Sequence, residues 1–425
     1  MKSFDDLYNK ALDGFAHRAL PDEFANAAAL EEFDPHHLDC LLHPDRHPPV
    51  LRLADCDCSE QDKQACQLNC FFHAITRDEH GNAVISEKNC VGCGDCIEHC
   101  KARALADRKD IFPAFELLYK SDAPVYAMIA PAFLSQFSAD VTPGMLRSAF
   151  KALGFAGMIE VALFADMLTL KEALEFDRHI HDDHDFLLTS CCCPIWIAMI
   201  RKVYTTLVPH IPPSVSPMVA CGRSIKLLYP DAKTMFIGPC VAKKAEAREP
   251  DVADAVDLVL NFQEMRDIFA VTGIDPAAQP EDLRDHSSTA GRIYARTGGV
   301  SRAVQSTVDR LVPHRQIPLR AEQANGAVEC KALLKRIVAG DISANFLEGM
   351  GCIGGCVGGP KVLIPREEGA AHVDSYGAQA AYETPVDNPY VMELLHRLGF
   401  ENIESLLQDN RIFTRNFLPQ QSKAE

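Results

Sequence analysis

The sequence has few basic residues for its size, and it lacks long apolar runs. Its 425 residues include 42 Lys and Arg against 59 Asp and Glu, which gives a formal net charge of −17. Nucleic-acid binding depends on Lys and Arg that neutralise phosphates, so this balance predicts no nucleic-acid partner. No uncharged apolar run approaches the roughly 20 residues of a membrane-spanning helix, and the chain is expected not to enter a membrane.

The N-terminal segment also lacks the features of a secretory signal. It carries acidic residues early and has no continuous apolar stretch, whereas a signal peptide has a basic start followed by an apolar core. We therefore expect a cytoplasmic protein, whose cysteines stay reduced and do not form disulfides.

Cysteine, in contrast, is abundant. The chain has 17 cysteines, and clustered cysteines in a reducing compartment indicate metal binding or catalysis. Eight of them fall within residues 51–105. The following part, residues 106–425, alternates helix-like and strand-like segments, and this alternation predicts parallel α/β units.

The first cysteine-rich segment has the spacing of a two-cluster ferredoxin. Residues 90–100 follow C-x2-C-x2-C-x3-C, the pattern that wraps a 4Fe-4S cluster and sends its fourth cysteine to a second cluster. Residues 56–70 carry an altered version, C-x-C-x7-C-x3-C. The same crossing rule assigns one cluster to Cys90, Cys93, Cys96 and Cys70, and the other to Cys56, Cys58, Cys66 and Cys100.

Two alternatives to this assignment stay open. C-x2-C pairs also bind zinc, and Cys40 is a possible substitute ligand because C-x-C is an unusual start for the second set. A ferredoxin-like domain performs no bond chemistry by itself. It predicts electron transfer to a redox catalyst or a redox sensor in the rest of the chain.

Three further cysteine motifs follow predicted strands. TSCCCPIW at 189–196, GPCVAKKAE at 238–246 and EGMGCIGGCVGGP at 348–360 lie where ligands of open α/β sheets bind, beyond the carboxyl ends of strands. They resemble the three cluster-binding signatures of the FeFe hydrogenase family, in the same order. IAPAF at 129–133 and TGGVSRAV at 297–304 resemble two smaller segments of that family.

The resemblance implies a reaction and a cofactor. Members of this family interconvert molecular hydrogen with protons and electrons at an H-cluster. This cofactor is a 4Fe-4S cubane joined to a two-iron subsite with CO, cyanide and a bridging dithiolate amine. The resemblance implies that the cubane is held by Cys193, Cys240, Cys352 and Cys356, with Cys356 as the bridge to the two-iron subsite. Four soft thiolates suit an iron–sulfur cluster.

The resemblance also implies roles around the two-iron subsite. Cys192 is expected to pass protons to the bridging amine, a task that suits a thiol because its pKa is tunable. Lys243 is expected to donate a hydrogen bond to a cyanide ligand, and Met350 to pack near the bridging CO. Ala130 and Pro131 are expected to bind the cofactor as part of the IAPAF segment.

Glu172 and Glu175 match two carboxylates that relay protons in members of the family that the sequence resembles. They fall with Leu168 and His179 on one stripe of a helix predicted over residues 164–180. Carboxylates three residues apart on one helix face can pass a proton through water. The alternative is a solvated acidic face.

Several residues depart from the family pattern. Pro212 stands at the position of a relay hydroxyl, which leaves Ser214 or water as its substitute. Cys191 is an additional thiol, so either it or its neighbour is a candidate for the proton relay. Gly238 replaces a methionine, and Lys244 is expected to face solvent.

Together these patterns predict an α/β protein in three parts. They are an N-terminal extension over 1–50, a ferredoxin-like α+β domain with two 4Fe-4S clusters over 51–110, and an H-cluster-binding catalytic α/β domain with parallel sheets over 120–425. The expected partners are hydrogen and protons, a ferredoxin or flavodoxin that carries electrons, and hydrogenase maturation proteins. A hydrogen sensor and a cubane-only iron–sulfur assembly relative are the alternative functions.

Overall fold

The structure of the protein is a computed structural model that describes residues 2–19, 24, 31–189 and 192–417. Its strands are β1 (Val50–Arg52), β2 (Ile75–Arg77), β3 (Ala83–Ile85), β4 (Leu105–Asp107), β5 (Val125–Ile129), β6 (Gly157–Glu160), β7 (Leu187–Leu188), β8 (Lys233–Gly238), β9 (Leu258–Asn261), β10 (Ala321–Asn325) and β11 (Phe346–Met350).

Helices precede, separate and follow these strands. The helices are α1 (Phe4–His17), α2 (Pro35–Leu42), α3 (Glu60–Leu68), α4 (Asp95–Glu98), α5 (Ile111–Tyr119), α6 (Pro143–Leu153), α7 (Ala162–His179), α8 (Pro194–Lys202), α9 (Pro217–Leu228), α10 (Ala242–Glu246), α11 (Phe262–Thr272), α12 (Thr289–Arg292), α13 (Gly299–Leu311), α14 (Ala327–Val338), α15 (Arg366–Ala378) and α16 (Pro389–Arg397). None of the described helices has the length and apolar character needed to cross a membrane.

Two parallel sheets form the larger part of the fold. One has the strand order β6-β5-β8-β9 and the other β10-β11-β7. In the first, Ile129 pairs with both Ile237 and Glu160; in the second, Phe346 pairs with Leu187. Helices cover these sheets because parallel strands must be buried on both faces. The predicted α/β architecture with parallel sheets is confirmed.

Local signals explain several of these elements. Thr142 caps α6 by accepting the backbone N–H of Met145 through its side chain, Pro143 occupies the first turn, and Gly154 ends the helix with a left-handed backbone. Strand β5 is almost wholly buried, as its VYAMI sequence predicts. Strand β10 has the polar sequence AEQAN and was not predicted; its full-length parallel pairing with β11 stabilises it.

Residues 50–107 have a separate small core. Strands β1 and β4 form one antiparallel pair, and β2 and β3 form another. Val50, Ile75, Ala83 and Leu105 make the apolar centre, and six of the eight cysteines of this segment pack around it. The ferredoxin-like nature of this segment and its boundaries stay predictions.

The N-terminal residues pack on the large core. Helix α1 begins with a capping box formed by Ser3 and Asp6. Its apolar side chains, among them Leu7 and Phe15, belong to the main buried cluster. Tyr8 Oη donates a hydrogen bond to Asp267 Oδ2 at 3.2 Å, which ties α1 to helix α11.

Candidate metal centre

Three strand ends present the four cysteines that the H-cluster signatures contain. Cys193 follows β7 and is the N-cap of α8, Cys240 follows β8, and Cys352 and Cys356 follow β11. Strands β7 and β11 belong to one sheet and β8 to the other. The carboxyl ends of both sheets therefore meet at this centre, as expected for ligand sites in α/β folds.

The four thiols lie within electrostatic reach of one another. Burial raises the pKa of Cys193 to about 12, with help from the adjacent Cys192. Burial also raises the pKa of Cys352, and the sulfurs of Cys240, Cys193 and Cys356 add to the shift. Four buried and mutually repelling thiols are costly as free thiolates. A cationic iron cluster removes that cost, so these residues fit a cubane.

Backbone groups are placed to support a cluster at this centre. The Gly351 N–H donates to Cys193 Sγ at 3.2 Å, a contact that tunes the potential of iron–sulfur clusters. The cysteines of the described residues are free thiols. No group of three His, Cys, Asp or Glu side chains in the described ranges is close enough to share one metal ion.

Cys192, Met350 and Lys243 lie together beside the four thiols. Cys192 Sγ is 4.0 Å from Met350 Sδ. Buried Lys243 donates a hydrogen bond to Glu246 Oε2 at 2.6 Å, and both residues belong to the motif at 238–246. Burial opposes the charge on Lys243, yet the Glu246 carboxylate and the Cys240 sulfur raise its pKa. Lys243 is thus a cation held next to the cysteine cluster.

The IAPAF and TGGV segments also border this centre. Ala130 donates its backbone N–H to Ile237 at 2.9 Å, and Pro131 opens a short 3-10 turn. A side chain at Gly238 would stand 3.0 Å from the Ala130 Cβ and closer still to the Phe236 ring. Lack of space for a side chain therefore accounts for glycine at this departure from the family pattern.

Glu348 anchors the TGGV segment to the last cysteine loop. Its buried carboxylate accepts the backbone N–H of Gly298 at 2.8 Å, and the N–H and Oγ of Ser301 at 2.7 and 2.6 Å. Burial raises the pKa of Glu348, and the Glu172 carboxylate adds to this shift although the hydrogen bonds oppose it. Glu348 therefore positions the loops, and Glu172 lies within its electrostatic reach.

The predicted relay carboxylates are buried on helix α7. Glu172 and Glu175 are 1% and 3% exposed, so the alternative of a solvated acidic face is wrong. Ser214 is fully buried, and its Oγ has no hydrogen-bond partner among the described residues. Lys171 donates to the Pro213 carbonyl at 2.8 Å. The segment that contains Ser214 therefore contacts α7 at Lys171.

The accessory cysteines lie within electrostatic reach of one another. Burial raises the pKa of Cys93 to about 12, and the sulfurs of Cys90 and Cys70 add to this shift. Burial also raises the pKa of Cys66, where the sulfurs of Cys100, Cys56 and Cys70 contribute and Arg77 opposes. Two of these sulfurs also have a backbone donor, since Ala74 N–H points to Cys70 Sγ and Ala83 N–H to Cys56 Sγ, both at 3.3 Å.

The accessory cysteines approach the centre formed by Cys193, Cys240, Cys352 and Cys356 through one loop. Gly92 lies between Cys90 and Cys93 with φ +71°, and an added Cβ would be 3.0 Å from the Val241 carbonyl oxygen. Cys70, Cys93, Cys193, Cys240 and Cys352 all pack on the same apolar cluster. The two sets of cysteines are therefore neighbours, and charge on Cys93 influences the pKa of Cys352.

Two expectations from the sequence are not met, and Cys191 lies outside the described residues. Lys244 is fully buried, with its ammonium 2.8 Å from both Asp110 Oδ2 and Glu264 Oε2, so the expectation that it faces solvent is wrong. Cys40 is buried beside His36 and His47 in the main core, away from the cysteines that surround the small core. Its position disfavours it as an accessory ligand.

Some residues of the centre had no clear signal in the sequence. Asn325 Oδ1 accepts the Gly354 N–H at 2.6 Å and the Thr297 hydroxyl at 2.9 Å, which joins two loops of the site. A side chain at Gly349 would be 2.0 Å from the Trp196 ring, and one at Gly351 would be 2.6 Å from the Ile195 Cβ. In the sequence, the G-x-G spacing before Cys352 is the one feature that indicates this close packing.

The fold and the converging thiols define a class of iron–sulfur proteins. Residues 123–360 match the family described as iron only hydrogenase large subunit, C-terminal domain. This match covers more than half of the chain, and the protein belongs to the iron-only, or FeFe, hydrogenase family. Membership implies iron–sulfur clusters.

Individual relatives differ in their described roles. The NADP-reducing hydrogenase subunit HndD of Solidesulfovibrio fructosivorans is 25% identical over 375 residues; the match covers 74% of this chain and 63% of that protein. Cytosolic iron-sulfur assembly component 3 of Pongo abelii is 23% identical, with 73% and 79% covered. A solved variant of FeFe-hydrogenase HydA1 from Chlamydomonas reinhardtii has TM-score 0.55 and 21% identity, covering 71% of this chain and 97% of that one.

Proposed function

We propose that this protein is an FeFe hydrogenase that reversibly interconverts hydrogen with protons and electrons. The observation that carries the proposal is the grouping of Cys192, Met350 and buried Lys243 beside the four cubane thiols. A protein that held only a cubane would need the four thiols alone. A thiol donor and a fixed cation next to them are what a second, anionic iron unit requires.

The H-cluster would be held by side chains of both sheets. Cys193, Cys240, Cys352 and Cys356 would bind the cubane, and Cys356 would also bind the two-iron subsite. When bound, that subsite supplies the metal centre at which protons and electrons combine into hydrogen. Lys243 orients it through its ammonium group, which Glu246 keeps charged.

The protein's own contribution to proton movement begins at Cys192. Its thiol accepts and returns a proton at the inner end of the route, because a cysteine sulfur can both bind and release a proton. Glu172 and Glu175 continue the route along α7. Ser214, whose buried hydroxyl has no other partner in the described part of the chain, is the candidate substitute for the absent hydroxyl at Pro212.

Electron transfer would use two 4Fe-4S clusters in residues 51–110. One cluster would be held by Cys90, Cys93, Cys96 and Cys70, and the other by Cys56, Cys58, Cys66 and Cys100, as the cysteine spacing predicts. A ferredoxin or flavodoxin in the cytoplasm would exchange electrons with the outer cluster, the one on Cys56, Cys58, Cys66 and Cys100. Hydrogenase maturation proteins would insert the two-iron subsite.

A cubane-only assembly role is the second candidate, because relatives with that description match most of the chain. The two candidates differ in one observable. Infrared spectra of anaerobically matured protein will contain bands of iron-bound CO and cyanide if the two-iron subsite is present, and we expect these bands. Their absence from fully matured protein would exclude hydrogen chemistry and favour the assembly role. A hydrogen-uptake assay on protein with the bands then separates an enzyme from a sensor.

A further inference from the structure

The solvent end of helix α7 carries a histidine joined to a buried carboxylate. The His179 side chain is 49% exposed, whereas that of Glu175 is 4% exposed. His179 Nδ1 is 3.2 Å from Glu175 Oε2 and 2.9 Å from the Glu175 backbone oxygen. A single ring therefore contacts both bulk water and a carboxylate of the proposed relay.

The contacts of the ring determine which nitrogen carries its proton. The backbone oxygen of Glu175 can only accept a hydrogen bond, so Nδ1 of the neutral ring is the donor. Nε2, on the opposite edge of the ring, is then the basic nitrogen that is left for solvent. His179 lies in the last turn of α7, where the helix carbonyl groups carry partial negative charge.

We propose that His179 is the proton carrier at the solvent end of this protein's relay, which rests on the proposed hydrogenase function. A proton from water binds Nε2, the Nδ1–H bond breaks, and an O–H bond forms on Glu175. Tautomer exchange through water then resets the ring. During hydrogen oxidation the same steps run in reverse, so atoms and charge balance in both directions.

Charged groups around His179 favour proton collection. The segment after α7 contains His181, Asp182, Asp183, His184 and Asp185. The backbone N–H of His181 holds the pKa of Asp185 below its usual value, so this carboxylate stays ionised. Negative charge near the relay raises the local proton concentration.

Two arginines also pack at this end of the helix. Arg315 binds Asp177 and the Ile180 carbonyl, and Arg320 pairs with Asp183 at 3.0 Å. These pairs neutralise part of the acidic charge. His179 is the side chain here that combines exposure to solvent with direct contact with Glu175.

The first test measures proton entry without hydrogen chemistry. Protein that carries its cubanes but no two-iron subsite is exposed to a rapid drop in pH, and protonation of Glu175 is followed by its carboxyl infrared band. Glu175→Gln identifies that band. We expect His179→Ala to slow its appearance about tenfold or more, and added imidazole to restore the rate.

Arginine separates proton transfer from charge at this position. His179→Arg keeps a cation next to Glu175, but a guanidinium does not release its proton. We expect this variant to be as slow as His179→Ala. A rate like that of the unmodified protein would overturn the proposal and leave His179 as a source of positive charge alone.

His372 provides a matched control on another helix. It pairs with Glu368 at 3.5 Å in the same i, i+4 arrangement and is 38% exposed, so His372→Ala should leave the infrared rate and the turnover of matured protein unchanged. In matured protein, His179→Ala should lower turnover about tenfold, with rescue by imidazole. Unchanged turnover in an active background would contradict the inference. If no matured form turns over while proton entry still requires His179, the hydrogenase proposal fails and the proton route stands.

Discussion

At the scale of single residues, Cys192 is the side chain that most directly separates catalysis from cluster binding. It lies 4.0 Å from Met350 and next to the cubane ligand Cys193, but the ligand set does not require it. We expect Cys192→Ala to lower hydrogen turnover about a hundredfold or more, since a positioned proton donor contributes that much. Iron content and the CO and cyanide bands should be retained.

The control for this variant is Cys221→Ala, which removes a buried thiol of the main core. Hydrogen uptake, metal analysis and infrared spectra are measured on both variants after identical maturation. Full turnover in the Cys192 variant would assign the proton relay to Cys191 or to another group.

Lys244 is expected to matter for stability rather than chemistry. Its buried ammonium contacts Asp110, Glu264 and the Arg108 carbonyl. Burial raises the pKa of Asp110, but the charges of Lys244 and Arg108 outweigh it and lower the value. Lys244→Met leaves buried Glu264 without its cation and Asp110 with Arg108 alone, and we expect a loss of about 3–5 kcal/mol in unfolding free energy.

Denaturant unfolding of the reconstituted protein under anaerobic conditions measures this loss. Lys335→Met on helix α14 removes an exposed lysine and should change the stability by less than about 0.5 kcal/mol. Equal stability of the two variants would show that the buried contacts contribute little. Lys243 and Lys244 are both buried on the short helix α10 but contact different partners. The sequence could not predict this, because neighbouring lysines carry no signal for which partner each will contact.

At the scale of elements, the sequence predicts those whose signals are local. The Thr142-Pro143 pair placed the start of α6 correctly, and apolar runs located β5, β8, β9 and β11. Strand β10 lacks β-branched and aromatic residues, and it exists through pairing with β11, a contact between distant parts of the chain. The sequence GMIEVAL over residues 157–163 has the apolar character of one continuous strand, but β6 ends at Glu160 because α7 already begins at Ala162.

The same limit applies to the site. Motif spacing identified the four thiols, but the room that they need depends on packing between β11 and α8. Gly349 faces the Trp196 ring, where a Cβ would approach to 2.0 Å. Such a contact follows from tertiary structure, and no periodic pattern of residues reports it.

Gly349→Ala tests this packing. Overpacking a buried contact costs about 1–3 kcal/mol or more, and here it would also displace the helix that begins at Cys193. We expect a lower unfolding midpoint and less cubane iron per chain. Gly157→Ala is the matched strand control, because its Cβ would meet the Tyr126 ring at an ordinary 3.7 Å. Full iron content in the Gly349 variant would show that α8 can move without loss of the ligand.

At the scale of the whole molecule, the accessory segment and the two-sheet domain meet where electrons would have to cross. Cys70 and Cys93 share an apolar cluster with Cys193, Cys240 and Cys352, so both sets of cysteines border the same apolar core. Arg108 and Asp110, at the end of residues 51–110, also contact Lys244, which lies on the helix that follows Cys240. The segment is thereby fixed against the loop that presents a cubane ligand.

Gly92 controls how closely these two parts approach. Its backbone has φ +71° and lies against the backbone of Val241 and Ala242, where a side chain has no flexible neighbour to displace. We expect Gly92→Val to widen this contact and to slow hydrogen-driven reduction of the outer cluster at unchanged iron content. Gly81→Val introduces the same side chain at a similar φ of +78°, but its neighbour is the movable end of Lys63. Freeze-quench electron paramagnetic resonance of both variants compares the reduction rates. Equal slowing in both would assign the effect to backbone strain within the accessory segment, and slowing confined to Gly92→Val would place the electron route at this contact.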